Sequence, residues 1–147
     1  VVQKATELGV RALQPVFTRR TIVTRVNEER MKANAIEAAE QSERLTVPEI
    51  REAVSLGKLL RSWPQERTVL FCDEGGDAQP IAKAAAKIET NSVAILTGPE
   101  GGFDPAERDA IRSQSFVVPV TLGPRILRAD TAALASLAIW QAVRGDS

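Results

Sequence analysis

Ser92-Val93-Ala94-Ile95-Leu96 runs directly into Thr97-Gly98-Pro99-Glu100-Gly101-Gly102, and Asp104-Pro105-Ala106-Glu107 follows at once. The first segment is a short apolar run of buried-strand character. The last is a helix start, with an acidic N-cap, Pro at the first helical position and Glu at the third. Between them lies a loop with three glycines. A glycine-rich connection from a buried strand into a helix sits where open α/β sheets bind ligands. Its residues fit neither a Walker A loop, since no Gly-Lys-Ser/Thr follows, nor the Gly-x-Gly-x-x-Gly dinucleotide fingerprint. Spacing alone leaves two readings open, a plain tight turn or a loop whose backbone approaches a ligand.

Working outward, the same rhythm repeats. Thr68–Cys72 is a buried-looking strand, Asp73–Asp77 a loop and Pro80–Ile88 an Ala-rich helix. The helix opened by Asp104 reaches about Ser113, and Phe116–Val120 is a further strand. A loop over Thr121–Ala129 leads to a last helix from Asp130 or Thr131 to about Arg144. Strands alternating with helices predict an α/β fold with a mostly parallel sheet covered on both faces. The first half is less regular. Residues 1–8 read as the end of a helix stopped by Gly9, Val10–Phe17 and Thr21–Thr24 as short strands, and Asn27 or Glu28 to about Arg44 as a helix. Val47–Ile50 opens an irregular stretch, and Ser55–Ser62 is a short helix closed before Trp63-Pro64.

Composition narrows the chemistry. The 147 residues are 44% hydrophobic and 26% charged, a globular balance in a chain long enough for one domain. No apolar run approaches the ~20 residues of a membrane helix, and the first residues do not resemble a signal peptide, so a cytoplasmic location is expected. There is no His and one Cys, which removes imidazole bases, most zinc sites and any internal disulfide. No metal is expected. The sole Met is Met31, so the chain is expected to be a piece of a longer one. Nineteen basic and nineteen acidic residues cancel. The layout is uneven, however: Arg11, Arg19, Arg20 and Arg25 lie in a stretch with no acid between Glu7 and Glu28. That stretch is either a solvated surface or a phosphate-facing patch.

A second loop also stands out, Leu122-Gly123-Pro124-Arg125-Ile126-Leu127-Arg128-Ala129-Asp130-Thr131-Ala132. Ile126 and Leu127 are unusual in an exposed loop, so it is expected to be buried or to cover something. Arg128 and Asp130 need a partner or a ligand if buried. The helix that follows is apolar nearly all round, as suits a central position or a subunit interface. Cys72 reads as a core strand residue, and its acidic neighbours Asp73 and Glu74 disfavour a thiolate nucleophile.

Four segments together resemble one family: Lys4-Ala5-Thr6-Glu7-Leu8-Gly9-Val10, Glu37-Ala38-Ala39-Glu40-Gln41-Ser42-Glu43-Arg44, the Leu96–Phe103 loop and the Leu122–Ala132 loop. In this order and spacing they are similar to the RsmE-type 16S ribosomal RNA uridine-N3 methyltransferases of the SPOUT superfamily, over essentially the whole chain, 1–147. The resemblance implies a methyltransferase domain with a deep C-terminal trefoil knot, an S-adenosylmethionine cofactor, a homodimer, and 16S rRNA of the small ribosomal subunit as substrate. It also implies that a PUA-like N-terminal RNA-binding domain and the first strand are missing from this chain. Asp130 departs from the pattern, where Glu is commoner.

The resemblance assigns the cofactor to Leu96, Thr97, Gly98, Glu100, Gly101, Gly102, Leu122, Gly123, Ile126, Leu127, Arg128 and Thr131. Residue type and position suggest Arg128 and Asp130 as catalytic, and Arg11, Arg19, Arg20, Arg44 and Arg125 are candidates for rRNA phosphates. Methylation of a ring nitrogen needs alignment and charge management rather than a covalent nucleophile. The alternatives are a ribose 2′-O-methyltransferase of the same superfamily, which the two early motifs disfavour, and a non-catalytic nucleotide-binding dimerisation module.

Overall fold

The computed structural model describes residues 2–19, 28–73, 78–90, 92–99, 102–125 and 127–144. Its centre is a four-stranded, all-parallel sheet built from β5 (Val69–Cys72), β6 (Gln79–Pro80), β7 (Ala94–Leu96) and β8 (Val117–Thr121), in the order β6-β8-β5-β7. β5 lies between β7 and β8, with Leu70 opposite Ile95 on one side and Val118 on the other. The chain therefore leaves β5 for one flank and returns across it to reach the other. Such a reversal opens a crevice beyond the carboxyl ends of the strands.

Side chains alternate across the sheet, as the period of two requires. From β5, Val69 and Phe71 join Leu56, Leu60, Ile111, Phe116 and Val117 on one face. Leu70 joins Ile81, Ala84, Ala85, Val120 and Trp140 on the other. The first face is covered by α3 (Leu56–Ser62) and α5 (Pro105–Arg112), the second by α4 (Ile81–Lys87) and α6 (Ala129–Arg144). The covered parallel sheet predicted from the alternating pattern is the one observed.

The N-terminal part is built differently. α1 (Val2–Glu7) packs on α2 (Glu28–Gln41) through small residues, Ala5 and Thr6 against a face of Ala35, Ala38 and Ala39, all buried. Gly9 follows α1 with φ of +90°, the left-handed stop expected of it. The expected strand Val10–Phe17 is broken at Pro15 into β1 (Ala12–Leu13) and β2 (Val16–Phe17). Each pairs in parallel with a two-residue strand from the stretch read as irregular, β1 with β3 (Glu49–Ile50) and β2 with β4 (Val54–Ser55). Proline has no N–H to give a ladder, so the break falls where the chemistry demands. The strand expected at Thr21–Thr24 lies outside the described residues.

Candidate cofactor cavity at the carboxyl ends of the strands

A cavity of about 520 Å³ opens beyond the carboxyl ends of β5, β7 and β8. Both loops singled out in the sequence wall it. Thr97, Gly98, Pro99 and Gly102 come from the first, and Leu122, Gly123, Arg125, Leu127 and Arg128 from the second. Phe71, Cys72 and Asp73 at the end of β5, Phe103 just before α5 and Arg108 within it, Val120 and Thr121 of β8, and Ala129 and Ala132 of α6 complete it.

Each loop has a physical reason for its glycines. Gly102 has φ of +72° and its N–H donates to Pro99 O at 2.9 Å, closing a turn. Gly98 serves Phe103. A Cβ there would stand 2.9 Å from Phe103 Cε2, and that ring meets Phe71 edge-on with centroids 5.5 Å apart. In the second loop Gly123 has φ of +120°, while its N–H donates to Thr121 Oγ1, and that hydroxyl donates to Gly123 O, both at 3.2 Å. α5 is held at its start by a full capping box: Glu107 N–H donates to Asp104 Oδ1 at 2.9 Å and the Glu107 carboxylate accepts from Asp104 N–H.

Seven residues assigned to the cofactor line this cavity: Thr97, Gly98, Gly102, Leu122, Gly123, Leu127 and Arg128. Glu100, Gly101 and Ile126 lie outside the described residues. Leu96 is not on the cavity lining; it packs against the Phe71 and Phe116 cluster, because it alternates onto that face of β7. Thr131 is exposed in the first turn of α6, its N–H on Asp130 Oδ1. Of the two suggested catalytic residues, Arg128 is exposed at the cavity and Asp130 is exposed and away from its lining.

The suggested RNA contacts scatter. Arg125 lies exposed on the cavity rim and Arg11 is exposed beside β1. Arg19 pairs with Asp104 at 2.9 Å, and its backbone N–H donates to Glu107, so it fastens the end of the β2 strand segment to the start of α5. Arg20 lies outside the described residues. Arg44 is engaged within the chain: its Nη1 donates to Thr6 O at 2.8 Å and Val10 O at 3.0 Å, and Nη2 to Thr46 Oγ1. It ties the chain after α2 to the end of α1, where Thr6 O also accepts Gly9 N–H at 3.1 Å.

Sequence reasoning missed Asp73, Arg108 and Arg112. Asp73 follows β5, its N–H on Val120 O, and its side chain is only 5% exposed. Arg108 Nε donates to both its oxygens, at 2.9 and 3.0 Å, and Arg112 Nη1 reaches Oδ2. The signal was faint: an acid after a strand and two arginines one helical turn apart. Cys72 lines the cavity as well as the core. Burial pushes its thiol up to about 11 from 9.0, and a hydrogen bond with Ser136 pulls only weakly the other way. That suits a passive wall residue rather than a nucleophile. Among the described residues, no group of three or more His, Cys, Asp or Glu is placed to hold a metal ion. No described helix is long and apolar enough to cross a membrane.

A parallel sheet with a glycine-walled cavity at its switch point defines a nucleotide- or cofactor-binding α/β domain. Comparison with known proteins makes the class specific: residues 1–141 match the model of the RNA methyltransferase domain, and the chain belongs to that family. It is 34% identical over 138 residues to the ribosomal RNA small subunit methyltransferase E of Rickettsia conorii, covering 93% of this chain and 56% of that protein. It is similar in structure to the methyltransferase of that name from Neisseria gonorrhoeae bound to S-adenosyl methionine. There the TM-score is 0.83 and the identity 36%, over 96% of this chain and 58% of that one. A putative methyltransferase of Legionella pneumophila, also with bound cofactor, gives a TM-score of 0.82 at 30% identity, over 99% and 61%. The chain thus spans little more than half the length of these relatives.

Proposed function

We propose that this chain is the catalytic domain of an S-adenosylmethionine-dependent methyltransferase acting on N3 of a uridine in 16S rRNA of the small ribosomal subunit. The observation that carries the reading is the cavity. Two motif loops distant in sequence converge on one space at the switch point, and the relatives named ribosomal RNA small subunit methyltransferase E include one bound to S-adenosyl methionine. The residues present fit the group. A cavity of about 520 Å³ is of the size that takes a drug-sized ligand. Leu122, Leu127, Val120 and Ala132 offer an apolar seat for a purine, with loop backbone and Thr97 and Thr121 as polar partners.

When bound, the cofactor supplies an electrophilic methyl group on a sulfonium. The chain's own residues must then orient a uracil ring and manage charge as the N3 proton leaves. Arg128, exposed at the cavity, is assigned to the oxygens O2 and O4 on which the negative charge collects. Asp130, two residues on, is assigned to orient Arg128 or to accept the proton. Arg125 at the rim is assigned to an RNA phosphate, with Arg11 further out. Glu100, Gly101 and Ile126 belong to the same cofactor assignment through their loops.

The reading extends to a homodimer, supported by half-buried Leu134 and Leu137 and exposed Ala138 on α6, an apolar surface beyond what its own core uses. It extends to a trefoil knot formed where the second loop meets the first, and to the cytoplasm, where ribosomal RNA is modified. Calorimetric titration with S-adenosylmethionine and S-adenosylhomocysteine tests it, with the mass in solution recorded alongside. Micromolar binding to a dimer is the expected result. Absence of binding, or binding of ATP or GTP instead, would overturn it.

A further inference from the structure

The charged residues on the cavity lining are lopsided. Among the described residues, Arg108, Arg125 and Arg128 line it with a single acid, Asp73. These arginines are not equivalent. Arg125 and Arg128 are exposed, on a loop and at the start of α6. Arg108 lies on the inner wall, one turn into α5, with its side chain 36% exposed. Its orientation is set by Asp73, which takes Nε on both oxygens and is itself held by Arg112 and by the backbone bond to Val120. A carboxylate that is 5% exposed and shared by two guanidinium groups is a fixed anchor. It leaves Arg108 little rotamer freedom to lose when a ligand arrives.

We propose that Arg108, positioned by Asp73, is an oxyanion subsite of the cavity and takes the carboxylate of the amino-acid end of the cofactor. This rests on the proposed cofactor and adds an orientation to it: purine against Leu122 and Leu127, carboxylate toward α5. A guanidinium recognises a carboxylate through paired donors, which fixes direction as well as charge. A phosphate of an RNA chain is the other source of such an oxyanion. The exposed Arg125 and Arg128 suit a polymer better, whereas a half-buried arginine on an inner wall suits a group small enough to enter the cavity.

The test compares S-adenosylmethionine with its decarboxylated analogue by calorimetry. The wild-type chain should prefer the carboxylated ligand by about tenfold or more, as expected for losing a charge-assisted pair. Arg108→Gln should bind the two alike, Arg108→Lys should keep part of the preference, and Asp73→Asn should reduce it because the guanidinium is no longer held. Equal binding of both ligands by the wild type would overturn the subsite, and needs no variant to fold. So would an undiminished preference in Arg108→Gln. If that variant instead lowered the salt slope of RNA binding by about one unit while keeping the ligand preference, the oxyanion would be a phosphate and the carboxylate assignment would fall. Binding of neither ligand by the wild type would remove the cofactor reading itself, and the subsite with it.

Discussion

Cys72 illustrates how one position takes its chemistry from its surroundings. Its sequence neighbours Asp73 and Glu74 already argued against a thiolate, and burial in the fold is the larger cause of its raised value of about 11. Below about pH 9 the folded and unfolded chains both keep the proton, so the group leaves stability unchanged. Between about 9 and 11 the unfolded chain loses it and the folded chain keeps it, so stability falls as pH rises. Cys72→Ser should flatten that part of the curve, read from urea midpoints of wild type and variant across this range. Identical slopes would show that Cys72 does not titrate differently in the two states. Gly98 makes the complementary point. Its glycine was legible as a loop residue, but the reason for it, the ring of Phe103 packed where a Cβ would go, depends on a contact five residues away that composition does not encode.

At the scale of elements, α5 was the most legible piece. The motif Asp104-Pro105-Ala106-Glu107 names its own N-cap, and the structure has both reciprocal bonds. Asp104→Ala should cost about 1 kcal/mol in chemical denaturation, and Asp104→Ser should recover most of it. A negligible loss would mean that the Arg19 and Glu107 contacts hold the helix start without the cap. The short strands were the least legible. β1, β2, β3, β4 and β6 have two residues each, too few to display a period, and they exist because a partner strand runs alongside. The early motifs, read as family marks, turn out to be packing devices. Thr6 is buried and bonded to Val2 O, Ala38 and Ala39 let α1 approach α2, and Arg44 closes the end.

For the molecule as a whole, two apolar clusters lie on opposite faces of one sheet and share its strands. Long-range ties join the ends: Gln141 Nε2 donates to Leu8 O at 2.7 Å, and Arg144 donates to the carbonyls of Ile88 and Glu89 beyond α4. Phe116→Ala on one face and Trp140→Ala on the other should therefore each cost about 3–5 kcal/mol and shift a single unfolding transition. Two separated transitions by fluorescence and circular dichroism would show that the faces unfold independently. The cavity sits at the end of this sheet and shares Phe71 with one cluster and Val120 with the other, so its geometry depends on both.

Hydrophobic alternation, the glycine loops and the capping box are local, and they settled on their own the parallel α/β class, the main strands and long helices, and the two loops that meet at the cavity. What lay beyond reach required distance in sequence to become nearness in space. The anchoring of Arg108 by Asp73 spans 35 residues, the bonds of Arg44 to Thr6 and Val10 span 38 and 34, and the strand pairs of the N-terminal part join residues 37 or 38 apart. Local free-energy preferences carry no information about such pairs. They form only once burial of the two sheet faces has brought the segments together, and that is why the Asp73–Arg108 pair on the cavity wall belongs to the tertiary structure, whereas Arg125 and Arg128 came with their motif.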